Sequence, residues 1–190
     1  MATPSLHDAR LGRISSDAFV FLAESGLLEN PGQYELCDGH LIEKPTQGFR
    51  HQFACEALEE VLLQGMPVPL KGRANPSVRI SNKAVLDPDF AILSRSTAEL
   101  GRMPTAGDVV VVFEVGDSTI GYDREDKRLA YASSGIPIYW LLDMTQSRLI
   151  VHSEPKDGDY GLVTTYGPEE EVELPILGKR LKVGTFFPPS

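Results

Sequence analysis

The sequence predicts a mixed α/β fold, an α+β mixed sheet with helices packed on it. Three observations carry that prediction. The middle of the chain runs helix, three extended segments, helix, extended segment. Short strand-like segments dominate both ends. The run VVVVFEV, Val109 to Val115, is apolar at every position except Glu114, which marks a strand buried in the middle of the protein.

The elements follow in order. SDAFVFLAES, residues 16–25, reads as a short helix with Ser15 or Ser16 as N-cap. Tyr34 to Cys37 and His40 to Lys44 flank Asp38-Gly39, a pair suited to a type I′ hairpin turn. Pro45 to Phe49 is a loop. Arg50 to Gln64 carries Phe53, Ala54, Ala57, Leu58, Val61 and Leu62 at the i, i+3, i+4 recurrence of an amphipathic helix, which Gly65 and Pro67 end. Pro76 to Ser81 and Val85 to Leu93 read as two strands around the turn SNKA, and Ser94 to Gly101 as a short helix or loop. After Val109–Val115 and the loop GDSTIGY, a helix over Asp123 to Ser134 stops at Gly135 and Pro137. Ile138 to Leu142 is another apolar strand. Hairpin-like segments close the chain at Arg148–His152, Gly161–Thr165 and Glu171–Leu174.

A chain of 190 residues suits one domain over 1–190, with residues 1–14 a loosely ordered arm. No run approaches the roughly 18 apolar residues of a membrane span. MATPSLHDARLGR lacks the apolar region of a signal peptide, so a cytoplasmic protein without membrane partners is expected. Cys37 and Cys55 stand in no metal-ligand spacing; two free thiols are expected, with a single disulfide as the alternative. The net charge of −9 argues against strong non-specific binding to duplex nucleic acid, yet leaves room for a carboxylate site that holds divalent cations.

The chemistry centres on Glu114. Alternation puts Val110, Val112 and Glu114 on one strand face, with Glu114 at the C-terminal end, the edge that sites in α/β sheets favour. A second acid, Asp89, enters an apolar strand in LDPDFAIL, where Pro88 marks a strand start, an edge or a bulge. Two carboxylates that meet raise one pKa or recruit a cation. Asp123, Lys127 and Tyr131 line one stripe of the following helix at i, i+4 spacing, and a lysine there can position water or stabilise charge on a phosphate. Each residue also has a plain structural reading. Glu114 pairs with a base, Asp87-Pro88-Asp89 is a solvated turn, Asp123 and Lys127 are an ordinary i, i+4 pair, and His51 caps or packs its helix.

The segments YELCDGHLIEKP, RHQ (Arg50 to Gln52), LDPDFAIL, FEVGDSTIGYDREDKRLAYASSGIPIYWLLD and LPILGKRLKV resemble the Uma2 family, also called the DUF820 group, of the PD-(D/E)XK nuclease superfamily. They cover most of the chain in family order. The resemblance implies a restriction-endonuclease-like core with extra β-hairpins and a Mg²⁺- or Mn²⁺-dependent phosphodiesterase site. It places the metal on Asp89, Glu114 and the Val115 carbonyl. The superfamily's lysine belongs two residues after the glutamate, where this chain has Gly116, and the resemblance moves that role to Lys127. Glu35 and His51 match recurrent family positions. The implied function is an endonuclease acting on nucleic acid, DNA in the first instance. Its competitors are a catalytically inactive nucleic-acid-binding module on the same fold and a homodimeric interaction protein, with IYWLLD and GTFFPP as the subunit interface.

Overall fold

The computed structural model describes residues 12–189. The arm expected over residues 1–14 lies outside the described residues as far as residue 11. Helix α1 (Ser16–Glu24) is capped by Ser15, whose hydroxyl accepts the Ala18 N–H at 3.2 Å. Strands β1 (Tyr34–Cys37) and β2 (His40–Glu43) form the expected hairpin. Asp38 and Gly39 both take positive φ, 44° and 79°, as a type I′ turn requires. Helix α2 (Phe49–Leu63) buries Ala54, Leu58 and Leu62 along one stripe.

Next come β3 (Lys71–Ala74), β4 (Val78–Ser81), β5 (Ala84–Leu86) and β6 (Phe90–Leu93). The single strand expected over Val85–Leu93 is two strands in two different sheets. Pro88 has no N–H to give a ladder, and at Asp87-Pro88-Asp89 the chain crosses from one sheet to the other. Strand β3 lacks any apolar alternation; it is a strand because β6 offers it a free edge. Helix α3 (Thr97–Leu100) is closed by a capping box between Ser96 and Glu99.

Strand β7 (Val109–Gly116) is followed by α4 (Ile120–Tyr122), a π turn (Asp123–Lys127) and α5 (Arg128–Ser133). The helix expected from Asp123 therefore starts earlier and is widened in its first turns. Strand β8 (Ile138–Asp143) pairs parallel with β7, and β9 (Arg148–Lys156), β10 (Asp159–Tyr166) and a terminal hairpin of β11 (Glu171–Leu174) and β12 (Lys179–Lys182) complete the fold.

The central six-stranded sheet has the order β10-β9-β8-β7-β6-β3, and β2-β1-β5-β4 form a second sheet. The alternation along β7 divides the core. Val111, Phe113 and Val115 pack with α2, Trp140 and Phe186 on one face. Val112 packs with Tyr131, Tyr139 and the β4–β5 residues on the other. Of the segments IYWLLD and GTFFPP, expected at a subunit interface, strand β8 lies between β7 and β9, and Trp140, Phe186 and Phe187 are buried in this chain's own core.

Candidate active site

Strand β6 begins at Phe90, which pairs with Phe113 of β7. Two residues on, the Val115 N–H faces the same edge with no ladder carbonyl opposite it. A buried N–H must find an acceptor. Asp89, just before β6, supplies it: Oδ2 accepts the Val115 N–H at 2.7 Å. The other oxygen of Asp89, Oδ1, lies 3.1 Å from His51 Nε2 at the start of α2. Burial works against the charged form of His51, but the Asp89 carboxylate outweighs it and raises the imidazole pKa. Alternation puts the Val115 carbonyl on the same edge as its N–H.

Glu114 points to the opposite face and is 2% exposed. Its Oε1 receives two donors, Lys127 Nζ at 3.0 Å and the Tyr131 hydroxyl at 2.5 Å. Its Oε2 makes no hydrogen bond among the described residues, and Glu114 lines the cleft. Burial pushes the Glu114 pKa well above the ordinary carboxylate value; Lys127 pulls it back, and Asp89, Asp123 and Glu35 add to the rise.

Lys127 is the hub. Its Nζ lies 3.0 Å from Glu114, 3.1 Å from Glu35 Oε1 and 3.6 Å from Asp123 Oδ1. These partners come from β7, β1 and the π turn, so three separate elements converge on one ammonium. Burial alone would strip its charge, but the three carboxylates hold its pKa well above the usual lysine value. Glu35 is itself anchored: Oε1 accepts the Asp87 N–H at 2.9 Å and Oε2 lies 3.4 Å from the Tyr122 hydroxyl. Asp123 is held by Thr119 at 2.6 Å. Burial raises its pKa, against Lys127 and Thr119.

Of the expected residues, Glu35, His51, Asp89, Glu114 and Lys127 line one cleft of about 590 Å³ together with Asp123, and Val115 is not among its lining residues. The stripe Asp123, Lys127, Tyr131 does face Glu114. Gly116, two places after Glu114, leaves little room for a side chain. A Cβ at Gly116 would lie 2.6 Å from Ile120 Cδ1 and 3.2 Å from Ile120 Cα, because the entry to α4 folds over that point. Nothing in the sequence singles out Thr119 or Tyr122, whose roles depend on the loop after β7 curling back over the cleft. Arg124 and Arg128, the other bases near Lys127 in sequence, turn away to Asp143 and Asp159 and do not line the cleft.

His51, Cys55 and Asp89 also bring one potential ligand atom each within 4.8 Å of one another. The two nitrogens of His51 face different partners: Nε2 faces Asp89, and Nδ1 lies 3.5 Å from Cys55 Sγ. Burial and the surrounding acids raise the Cys55 thiol pKa, which keeps it protonated and makes it neither a ready ligand nor a nucleophile. Both cysteines are free. Among the described residues no helix is long and apolar enough to cross a membrane.

The model of the Uma2 family, described as a putative restriction endonuclease, matches residues 20–184. A crystal structure of a putative nuclease belonging to DUF820 from Anabaena variabilis ATCC 29413 is similar in fold, with a TM-score of 0.65. The likeness spans 92% of this chain and 97% of that one, at 16% sequence identity. At that identity the likeness is one of fold, and it agrees with a restriction-endonuclease-like mixed α+β architecture. No curated protein matches the chain.

Proposed function

The chain belongs to the Uma2 family, and from that premise we propose that it is a metal-dependent nuclease hydrolysing phosphodiester bonds in the cleft at the end of β7. The observation that carries the reading is the convergence of Glu35, Glu114 and Asp123 on the buried Lys127, with Asp89 across the Val115 peptide. The donor set fits a small, hard cation. Glu114 lines the cleft and its Oε2 makes no hydrogen bond among the described residues, while Asp89, at the same strand end, keeps lone pairs beyond those facing the Val115 N–H and His51. Asp89, Glu114 and the Val115 carbonyl would hold Mg²⁺ or Mn²⁺. When bound, such an ion polarises the scissile phosphate and lowers the pKa of a bound water.

The chain's own groups do the rest. Lys127 turns one N–H from Asp123, its longest contact, to a non-bridging phosphate oxygen, where charge builds in the transition state. Thr119 keeps Asp123 in place as this happens. Tyr131 and Glu35 act by positioning, the first on Glu114 and the second on Lys127. His51 fixes the carboxylate plane of Asp89.

One observation favours a second reading, a catalytically inactive module on the same fold: among the described residues every ion-pair partner of Lys127 is a carboxylate of this chain. Calorimetry with Mn²⁺ on the wild type and on Glu114→Gln separates the two, followed by cleavage of labelled DNA with and without chelator. Binding lost in the variant, with chelator-sensitive cleavage by the wild type, supports the nuclease. Wild type that neither binds Mn²⁺ nor cleaves leaves the inactive module.

A further inference from the structure

We infer that the cleft takes an unpaired strand of nucleic acid and excludes the intact duplex. The inference rests on the nuclease reading and names its substrate class. Three features of the cleft point the same way.

The first is depth. The groups of the floor are almost closed to solvent: Glu35 is 1% exposed, Glu114 2%, Asp123 2% and Lys127 6%. A duplex carries its phosphates on the outside of a stiff cylinder. Residues 44–48 and 117–119 also line the cleft, and a stiff cylinder adapts poorly to groups so recessed. A strand freed from its partner bends at every nucleotide and adapts better.

The second is charge. Seven carboxylates line the cleft against two lysines, and both lysines are already paired, Lys127 on the floor and Lys44 with Asp87 at 2.6 Å. Duplex DNA brings one negative charge per about 1.7 Å of its axis, and its binding depends on bases that gather phosphates. This cleft has no such row of bases. An unpaired strand brings only one of the two backbones, and a cation on the carboxylates offsets the few phosphates that enter.

The third is the rim. Gln33, Thr46, Gln47, Asn75 and Ser118 line the cleft, are exposed, and have side chains that make no hydrogen bond within the described residues. Neutral amides and hydroxyls bring no charge to gather phosphates, but they suit the edges of bases that have lost their Watson–Crick partners. A volume of about 590 Å³ lies within the range of sites that enclose small ligands.

The test is fluorescence anisotropy with a short labelled oligodeoxynucleotide, single-stranded or annealed to its complement, in Ca²⁺. Mn²⁺ calorimetry on the same protein runs alongside. The expected result is single-strand binding at least about tenfold tighter than duplex binding. Gln47→Ala and Ser118→Ala should weaken it several-fold while Mn²⁺ binding and Tm stay unchanged. Duplex binding as tight as single-strand binding overturns the inference and leaves the nuclease reading standing. So does Mn²⁺ binding without binding of either nucleic acid, or indifference of single-strand binding to both variants. Wild type that neither binds Mn²⁺ nor cleaves labelled DNA removes the nuclease reading and this inference with it.

Discussion

Replacing Lys127 by Met removes the charge that three buried carboxylates share. Each nearer contact, at 3.0 and 3.1 Å, has a gross attraction of about 5 kcal/mol at an effective dielectric of about 20. Desolvation of the ammonium offsets several kcal/mol of this. What remains in Lys127→Met is a cluster of like charges with no counter-ion, and breaking a buried pair from one side costs about 3–5 kcal/mol. That is a large share of the roughly 5–15 kcal/mol that holds a domain folded. Urea unfolding of both proteins reads the difference as a drop in midpoint at unchanged slope. The deficit depends on pH in a stated direction. Without Lys127 the folded-state carboxyl pKa values of Glu114 and Asp123, already raised by burial, rise further. A carboxyl with a raised folded pKa favours folding below its unfolded pKa and loses that contribution as pH rises through the folded value. The variant should therefore lie closer to wild type at pH 5 than at pH 8. A loss below about 1 kcal/mol at pH 8, or a deficit that grows toward acid, would refute the reasoning and mark the lysine as surplus.

Tyr131→Phe removes one of the two donors on Glu114 Oε1; hydrogen bonds to charged groups contribute about 1.5–3 kcal/mol, so urea unfolding should show a loss in that range. Gly116→Ala places a methyl 2.6 Å from Ile120 Cδ1 and should cost about 1–3 kcal/mol by overpacking, seen as a lower Tm. His152 is buried and stacked on Tyr139, its Nδ1 makes no hydrogen bond among the described residues, and burial with Arg128 nearby lowers its pKa to about 4. The unfolded chain binds the extra proton first, so His152 should weaken the fold by roughly 2–3 kcal/mol as pH falls from about 6.5 to about 4. His152→Phe keeps the stacked ring and should flatten that part of the stability profile.

The sequence alone makes several features legible because their causes are local. The apolar run of β7 is wanted on both faces, whatever packs there. Asp38-Gly39 is a turn because both residues tolerate positive φ. The stripe Asp123, Lys127, Tyr131 follows from helix geometry, and the π turn shifts it without dispersing it. Pro88 signals a break in the ladder, although only the folded chain shows that the break separates two sheets. Strands β3 (KGRA) and β12 (KRLK) carry no alternating apolar pattern and form because a neighbouring strand supplies the partner.

The sequence by itself determined the class of fold and the strand face on which Glu114 lies. Tertiary structure alone decided which groups meet. Glu35 reaches Lys127 from the second sheet, and no spacing in the chain encodes that distance. Glu114 takes Lys127 and Tyr131, while Asp89 takes the Val115 N–H and His51, because a buried donor or acceptor is satisfied by whatever the surrounding elements bring within about 3 Å. Periodicity specifies the face on which a side chain lies; only the packing of one element against another specifies the group it faces.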